Sequence, residues 1–172
     1  KPLGIERLNN LEKLDLSGNL IISSSFVKKL PKLETLNLSR NRLQELSLTE
    51  LSRLKALDLS NNLITEINFD TPFSNLKYLN LSGNSLENAN LNPLSSLEEL
   101  DISGNRIRSL DGISQLKSLR TLNLSYNLIS DLRPLASLKN LEILILSSNG
   151  KISNQALSQI KIKLPNCYIE HD

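Results

Sequence analysis

An asparagine returns at positions 19, 41, 62, 84, 105, 127 and 149, at steps of 22, 21, 22, 21, 22 and 22 residues. Each stands in the same frame, L-x-x-L-x-L-x-x-N-x-L. The frame is clearest at Leu119–Ile129, LRTLNLSYNLI, and complete at Leu11–Ile21, Leu33–Leu43, Leu54–Ile64, Leu76–Leu86 and Leu97–Ile107. Leu141–Ile152 follows it more loosely. Seven copies in near-constant register do not suit one ball-shaped core. A unit of this length holds one strand and one return, and must bury its apolar side against the next copy. The core is then a line of stacked rungs. Leu dominates it, aromatics are 3%, and Trp and Met are absent, as rungs of one shape require.

The frame is the leucine-rich-repeat signature, and the chain resembles that family over nearly its whole length. The resemblance implies an α/β fold: a right-handed solenoid with a parallel β-sheet on its concave face and short turns on its convex side. Within each unit the alternating L-x-L centre predicts a strand of about three to five residues. Leu14 and Leu16 of the first full unit point into the core, and the residue between them points outward. The repeated Asn lies where the chain leaves the sheet. Its amide can satisfy turn backbone groups that would cost about 1–3 kcal/mol each if left unpaired. That predicts a structural role for Asn19 through Asn149, not ligand contact.

The return segments repeat their apolar residues every three positions: Ile107, Leu110, Ile113, Leu116, and again Ile129, Leu132, Leu135, Leu138. Period three predicts 3₁₀ turns, not a long helix, and Pro72, Pro93 and Pro134 reinforce this. The short unit is similar to those of bacterial internalins and of the cytosolic phosphatase-regulator class. LISDLRPLASLKNL at 128–141 is close to the internalin pattern, and the G-x-I-P element of the plant extracellular class is missing.

Residues 1–10, KPLGIERLNN, read as the second half of a repeat, with Ile5 and Leu8 in the places of Ile113 and Leu116. The expectation is a fragment of a longer chain, with a cap or further repeats upstream. After Asn149 the period changes. Ala156, Leu157, Ile160 and Leu164 fall at helical spacing, with Ser153 or Asn154 as N-cap and Pro165 as the stop. Cys-Tyr-Ile-Glu then predicts a last strand with Cys167 and Ile169 facing inward. This end resembles the helix-plus-LPNC element that closes many bacterial leucine-rich-repeat domains. The expected organisation is one domain over 1–172: a partial repeat at 1–10, seven repeats at 11–152 and a helix–strand cap at 153–172.

Charge is balanced, with 20 basic and 18 acidic residues interspersed and a net of +2. No basic block marks a nucleic-acid footprint, and no apolar run approaches the roughly 20 residues of a membrane-spanning helix. Cys167 is the single cysteine, which rules out the intrachain disulfide caps of extracellular animal members and reads as a small core residue. Asn37, Asn80 and Asn123 each begin an N-x-S sequon on the exposed sheet face, where glycans would block binding. These features predict a bacterial protein, intracellular or exported, and not a eukaryotic disulfide-capped one. His171 is the only histidine and stands beside the last residue. No metal spacing, phosphate loop or nucleophile–base set can be built around it. The expectation is therefore no enzyme, cofactor, metal or small-molecule substrate.

Information resides on the sheet face. The residue between the two core positions runs Asp15, Asn37, Asp58, Asn80, Asp101, Asn123, Ile145. Two readings stand for this alternation: relief of repulsion between rungs about 4.8 Å apart, or cation binding by Asp15, Asp58 and Asp101. An unbroken Ser column follows, from Ser17 to Ser147, and a charged column precedes it: Glu12, Glu34, Lys55, Lys77, Glu98, Arg120, Glu142. The last rung departs from the pattern, with Ile143 and Ile145 where Thr121 and Asn123 stand one rung earlier. Tyr168 is expected beside Ile145. The two either cover one another as a cross-strand pair or form, with Ile143 and nearby Tyr126, an exposed interface. Tyr78, alone at mid-face, and Arg120 complete the candidate contacts. The predicted function is protein–protein recognition on the concave face. The alternative is a structural spacer or stalk in a larger bacterial surface or effector protein.

Overall fold

A computed structural model describes residues 4–44, 46, 48, 51–69, 73–88 and 90–172; Pro72 lies outside them. Eight three-residue strands form one parallel sheet in strict chain order: β1 Lys13–Asp15, β2 Thr35–Asn37, β3 Ala56–Asp58, β4 Tyr78–Asn80, β5 Glu99–Asp101, β6 Thr121–Asn123, β7 Ile143–Ile145 and β8 Tyr168–Glu170. The register is constant, so the central leucines pair rung to rung from Leu14 through Leu144. This is the leucine-rich-repeat solenoid, open at both sheet edges, with the sheet on its concave side.

Each rung contributes the same buried positions. Leu36, Leu57, Leu79, Leu100, Leu122 and Leu144 form one column within the strands. Leu38, Leu59, Leu81, Ile102, Leu124 and Leu146 form the next. All are at most 2% exposed, which is worth about 1.5–3 kcal/mol per side chain relative to exposure. On the convex side 3₁₀ turns span Ile5–Arg7, Ser25–Lys29, Asp111–Ile113 and Arg133–Ser137, as the three-residue period predicts. Phe26, Phe69 and Phe73 fill the convex side where the returns are less regular; the last two meet edge to face with ring centroids 5.4 Å apart. Ile5 packs partly against the core, while Leu8 is exposed.

The Asn column ties the rungs together. Asn105 is typical. Its Nδ2 donates to the Leu81 carbonyl of the preceding rung (3.0 Å) and to the Ile102 and Ser103 carbonyls of its own (3.0 and 3.1 Å). Its Oδ1 accepts from Leu86 N–H at 3.0 Å. Asn41, Asn62, Asn84 and Asn127 repeat the set, and all are buried. Asn19, on the first rung, is exposed and, among the described residues, bonds only within its own turn.

At the other end helix α1, Asn154–Lys163, starts at Ser153, whose Oγ accepts from Ala156 N–H at 3.1 Å. Of the two expected N-caps, Ser153 is therefore the one used. Leu157, Ile160 and Leu164 are buried on the helix's inner face, and Lys139 Nζ donates to the Lys163 carbonyl at 2.9 Å, capping the far end. Strand β8 follows, with Cys167 and Ile169 packed against the core. Burial raises the Cys167 thiol pKa above its ordinary value.

One expectation is corrected. Tyr168 does not pair with Ile145: β7 and β8 align Ile143 with Tyr168, Leu144 with Ile169 and Ile145 with Glu170. Inward Ile169 matches inward Leu144, and that match sets the alignment of the outward residues on either side.

Candidate functional site

Two outward columns make up the sheet face. One runs Lys13, Thr35, Ala56, Tyr78, Glu99, Thr121, Ile143, Tyr168; the other runs Asp15, Asn37, Asp58, Asn80, Asp101, Asn123, Ile145, Glu170. The second column ends each strand. Asn37 Oδ1 accepts from both Ser39 N–H (3.0 Å) and Ser39 Oγ (2.8 Å), and Asp101 Oδ1 accepts likewise from Ser103 (2.9 and 2.6 Å). These are Asx turns, and they account for the Ser column from Ser17 through Ser125 as their donors. The alternation of Asp and Asn adds lateral bonds: Asn37 Nδ2 donates to Asp15 Oδ2 (3.2 Å) and Asn123 Nδ2 to Asp101 Oδ2 (3.1 Å). Asp15, Asp58 and Asp101 stand on alternate rungs, and among the described residues no three His, Cys, Asp or Glu side chains converge on one point. Of the two readings, the geometry supports relief of repulsion, with an amide donor set beside two of the three carboxylates.

The middle of the column differs. Asn80 Nδ2 turns to the Tyr78 hydroxyl at 3.3 Å, and among the described residues no side-chain amide reaches Asp58. Tyr78 is half-buried between Ala56 and Glu99. Burial raises its phenol pKa above the ordinary value; the Asn80 bond opposes this, and Asp58, Asp101 and Glu99 add to the rise. Glu99 is not among the contacts expected from the sequence. Aligning the column that contains Tyr78 places Glu99 on the next rung beside it.

The charged column just before the strands pairs within itself: Lys55 with Glu34 (2.8 Å), Lys77 with Glu98, and Arg120 with Glu142 (2.7 Å). Hydrogen bonds from Lys55 and Lys77 hold the Glu34 and Glu98 carboxyls below the usual range. Arg120 remains well exposed.

At the C-terminal end Ile143 and Tyr168 stand side by side on the face, 40% and 65% exposed. Ile145 is half-buried next to Glu170. Tyr126 does not join their row. It lies five residues past Thr121, in the turn before Asn127, with a positive φ of 54° and its N–H bonded to the Ser147 carbonyl (2.9 Å). His171 rests at the exposed end, its ring nitrogens against Lys161 Nζ (3.2 Å) and the Asp172 carbonyl (2.7 Å).

A family model described as leucine-rich repeats in two copies matches residues 9–52, 95–136 and 117–161, and a second leucine-rich-repeat model matches 31–86 and 52–107. Among solved structures the chain is similar to an internalin (inlF) of Listeria monocytogenes, with TM-score 0.87 and 26% identity over 96% of this chain and 48% of that one. A leucine-rich-repeat protein of Leptospira interrogans gives TM-score 0.77 and 31% identity over 96% and 50%. Internalin C2 of Listeria monocytogenes gives 0.74 and 27% over 94% and 80%. The chain spans about half the length of the first two. No curated protein matches by sequence. These relatives are all bacterial.

Proposed function

Because the chain belongs to the leucine-rich-repeat family, whose fold is that of a protein-interaction module, we propose that it recognises a protein partner on the concave face without chemistry of its own. One observation carries the reading: Ile143 and Tyr168 are register partners left exposed at the end of an otherwise polar face. An apolar side chain beside an aromatic is the composition of an interface anchor. Ile145 extends that patch. Tyr126 and Arg120 flank it on the turn and on the approach to β6, and Tyr78 offers a second anchor at mid-face. The bacterial relatives support a bacterial setting for the interaction.

The test is affinity capture with the whole chain beside an Ile143→Asp, Tyr168→Ala double variant, after circular dichroism confirms that both fold. A protein held by the wild type and lost by the variant supports the reading. No protein held by the wild type overturns it in favour of a spacer within a longer bacterial surface or effector protein, and equal recovery by both removes the Ile143 and Tyr168 anchor.

A further inference from the structure

The sheet face segregates charge. Its two outward columns carry five acidic residues, Asp15, Asp58, Glu99, Asp101 and Glu170, against one basic residue, Lys13. The face is thus −4 within a chain of net charge +2, leaving +6 for the remainder. The adjoining column does little to offset this, because Lys55, Lys77 and Arg120 are each paired with a glutamate of the same column.

The charge is also concentrated. Glu99 is the register partner of Tyr78, and Asp58 and Asp101 on the rungs either side are close enough to act on its phenol. Asp101 receives an amide from the next rung, whereas Asn80, which would serve Asp58, is drawn off to the Tyr78 hydroxyl. Glu99 has no ion pair among the described residues. The centre of the face is therefore a held aromatic ring with two carboxylates, Asp58 and Glu99, that lack a side-chain partner among the described residues. A cation over an aromatic ring gains about 0.5–1 kcal/mol at an exposed site, and more when it is desolvated. The three carboxylates around the ring add to that attraction.

We propose that the partner presents a basic, extended segment to the concave face, with one Lys or Arg side chain seated on Tyr78 between Asp58, Glu99 and Asp101. This rests on concave-face recognition and names the chemistry of the partner. Eight strands at about 4.8 Å make a face roughly 34 Å long, room for about ten residues of extended chain. The same field repels nucleic acid, and the spacing of the aspartates on alternate rungs suits side chains entering one at a time more than a single compact ion.

The experiment uses the intact chain, isotopically labelled for amide NMR, and two synthetic peptides of about ten residues, one alternating Gly and Arg and the other Gly and Glu. The expected result is that the Gly-Arg peptide shifts amides of β3–β5 and the Gly-Glu peptide shifts none. Tyr78→Ala and Glu99→Gln should each weaken the Gly-Arg affinity about fivefold or more, and Tyr78→Phe should retain most of it. Raising salt from about 50 to about 500 mM should cost about tenfold. Shifts confined to other surfaces, no saturable shift, or an affinity indifferent to Tyr78→Ala and Glu99→Gln would overturn the proposal. Failure here alongside capture that depends on Ile143 would remove the basic partner and leave concave-face recognition standing. Peptide binding at Tyr78 without Ile143-dependent capture would leave the basic partner and remove the C-terminal anchor.

Discussion

Ile143 stands opposite Tyr168 across β7 and β8, and both remain exposed although each is flanked along its own strand by a residue that points into the core. Leu144, next to Ile143, is fully buried. The strand thus sets a removable apolar side chain beside an indispensable one. Ile143→Asp should cost about 1 kcal/mol, the span of strand propensity on an open face, whereas Leu144→Ala should cost about 2–5 kcal/mol. Urea denaturation of both variants checks this. A loss for Ile143→Asp as large as for Leu144→Ala would mean that Ile143 serves the core, and the binding patch would lose its basis.

Asn105 and Asn19 occupy equivalent positions with unequal duties. Asn105 is buried and reaches two rungs, while Asn19 is exposed and, among the described residues, bonds only inside its turn. Replacing Asn105 by Ala strands buried carbonyls and an N–H. The expected loss is roughly 3–5 kcal/mol, from unsatisfied groups at about 1–3 kcal/mol each. Asn19→Ala, with water at hand, should lose less than about 1 kcal/mol. Equal losses would show that the column is not a ladder between rungs.

The Leu and Asn columns were legible in the sequence because a repeat of constant register makes position in the frame equivalent to position in space. The same logic predicted the 3₁₀ returns from spacing of three, and helix α1 from the change of period after Asn149. The logic weakened where the frame ends. Strand β8 carries no L-x-L to align, so Tyr168 was set beside Ile145, whereas inward matching of Ile169 with Leu144 sets it beside Ile143. The grouping around Tyr78 was legible in principle, since Glu99 is one rung along in the same column. The diversion of Asn80 from Asp58 to Tyr78 was not, because it depends on the direction of one amide and not on any period. Tyr126 falls three residues beyond Asn123, in the turn and outside the row of Ile143 and Tyr168.

Acid should lower the protein's stability in a defined window. Glu34 and Glu98 are held below the ordinary glutamate value of 4.5, first by hydrogen bonds from Lys55 and Lys77, and Asp15 below 3.8, first by the backbone N–H of Ser17. Arg133 does the same for Asp131, chiefly through hydrogen bonds. A carboxyl whose folded pKa is depressed contributes stability above its unfolded value and loses it as pH falls through the folded value. Melting temperature should therefore be level above about pH 5 and decline below about pH 4. Glu98→Gln should soften that decline. A fall beginning near neutral pH would point to other groups.

Thiol reactivity at Cys167 tests how the helix–strand end is packed. Burial raises its pKa, so the nucleophilic thiolate is scarcer than at a free cysteine. A chromogenic disulfide reagent near neutral pH should react slowly with the folded chain and rapidly after denaturation. Equally fast labelling in both states would place Cys167 outside the core.

Tyr126 sits where three of the other six rungs use glycine. The residue before the repeated Asn has positive φ in every rung: Gly18, Gly83 and Gly104 adopt it freely, while Arg40, Asn61, Tyr126 and Ser148 hold it at 54–60°. A side chain in this region costs about 1–2 kcal/mol through the clash of Cβ with backbone, and a bulky one there is uncommon. Tyr126→Gly should therefore raise stability by about 0.5–1 kcal/mol after the extra freedom of glycine in the unfolded chain is counted. Tyr126→Ala keeps the strain and removes the ring, so it should leave stability nearly unchanged. If the ring touches the partner, both variants lose captured protein equally although only one gains stability. Full capture by both would take Tyr126 out of the interface and confine the patch to Ile143, Ile145 and Tyr168. A loss of stability in Tyr126→Gly would mean that the ring packs on the turn enough to outweigh its strained backbone.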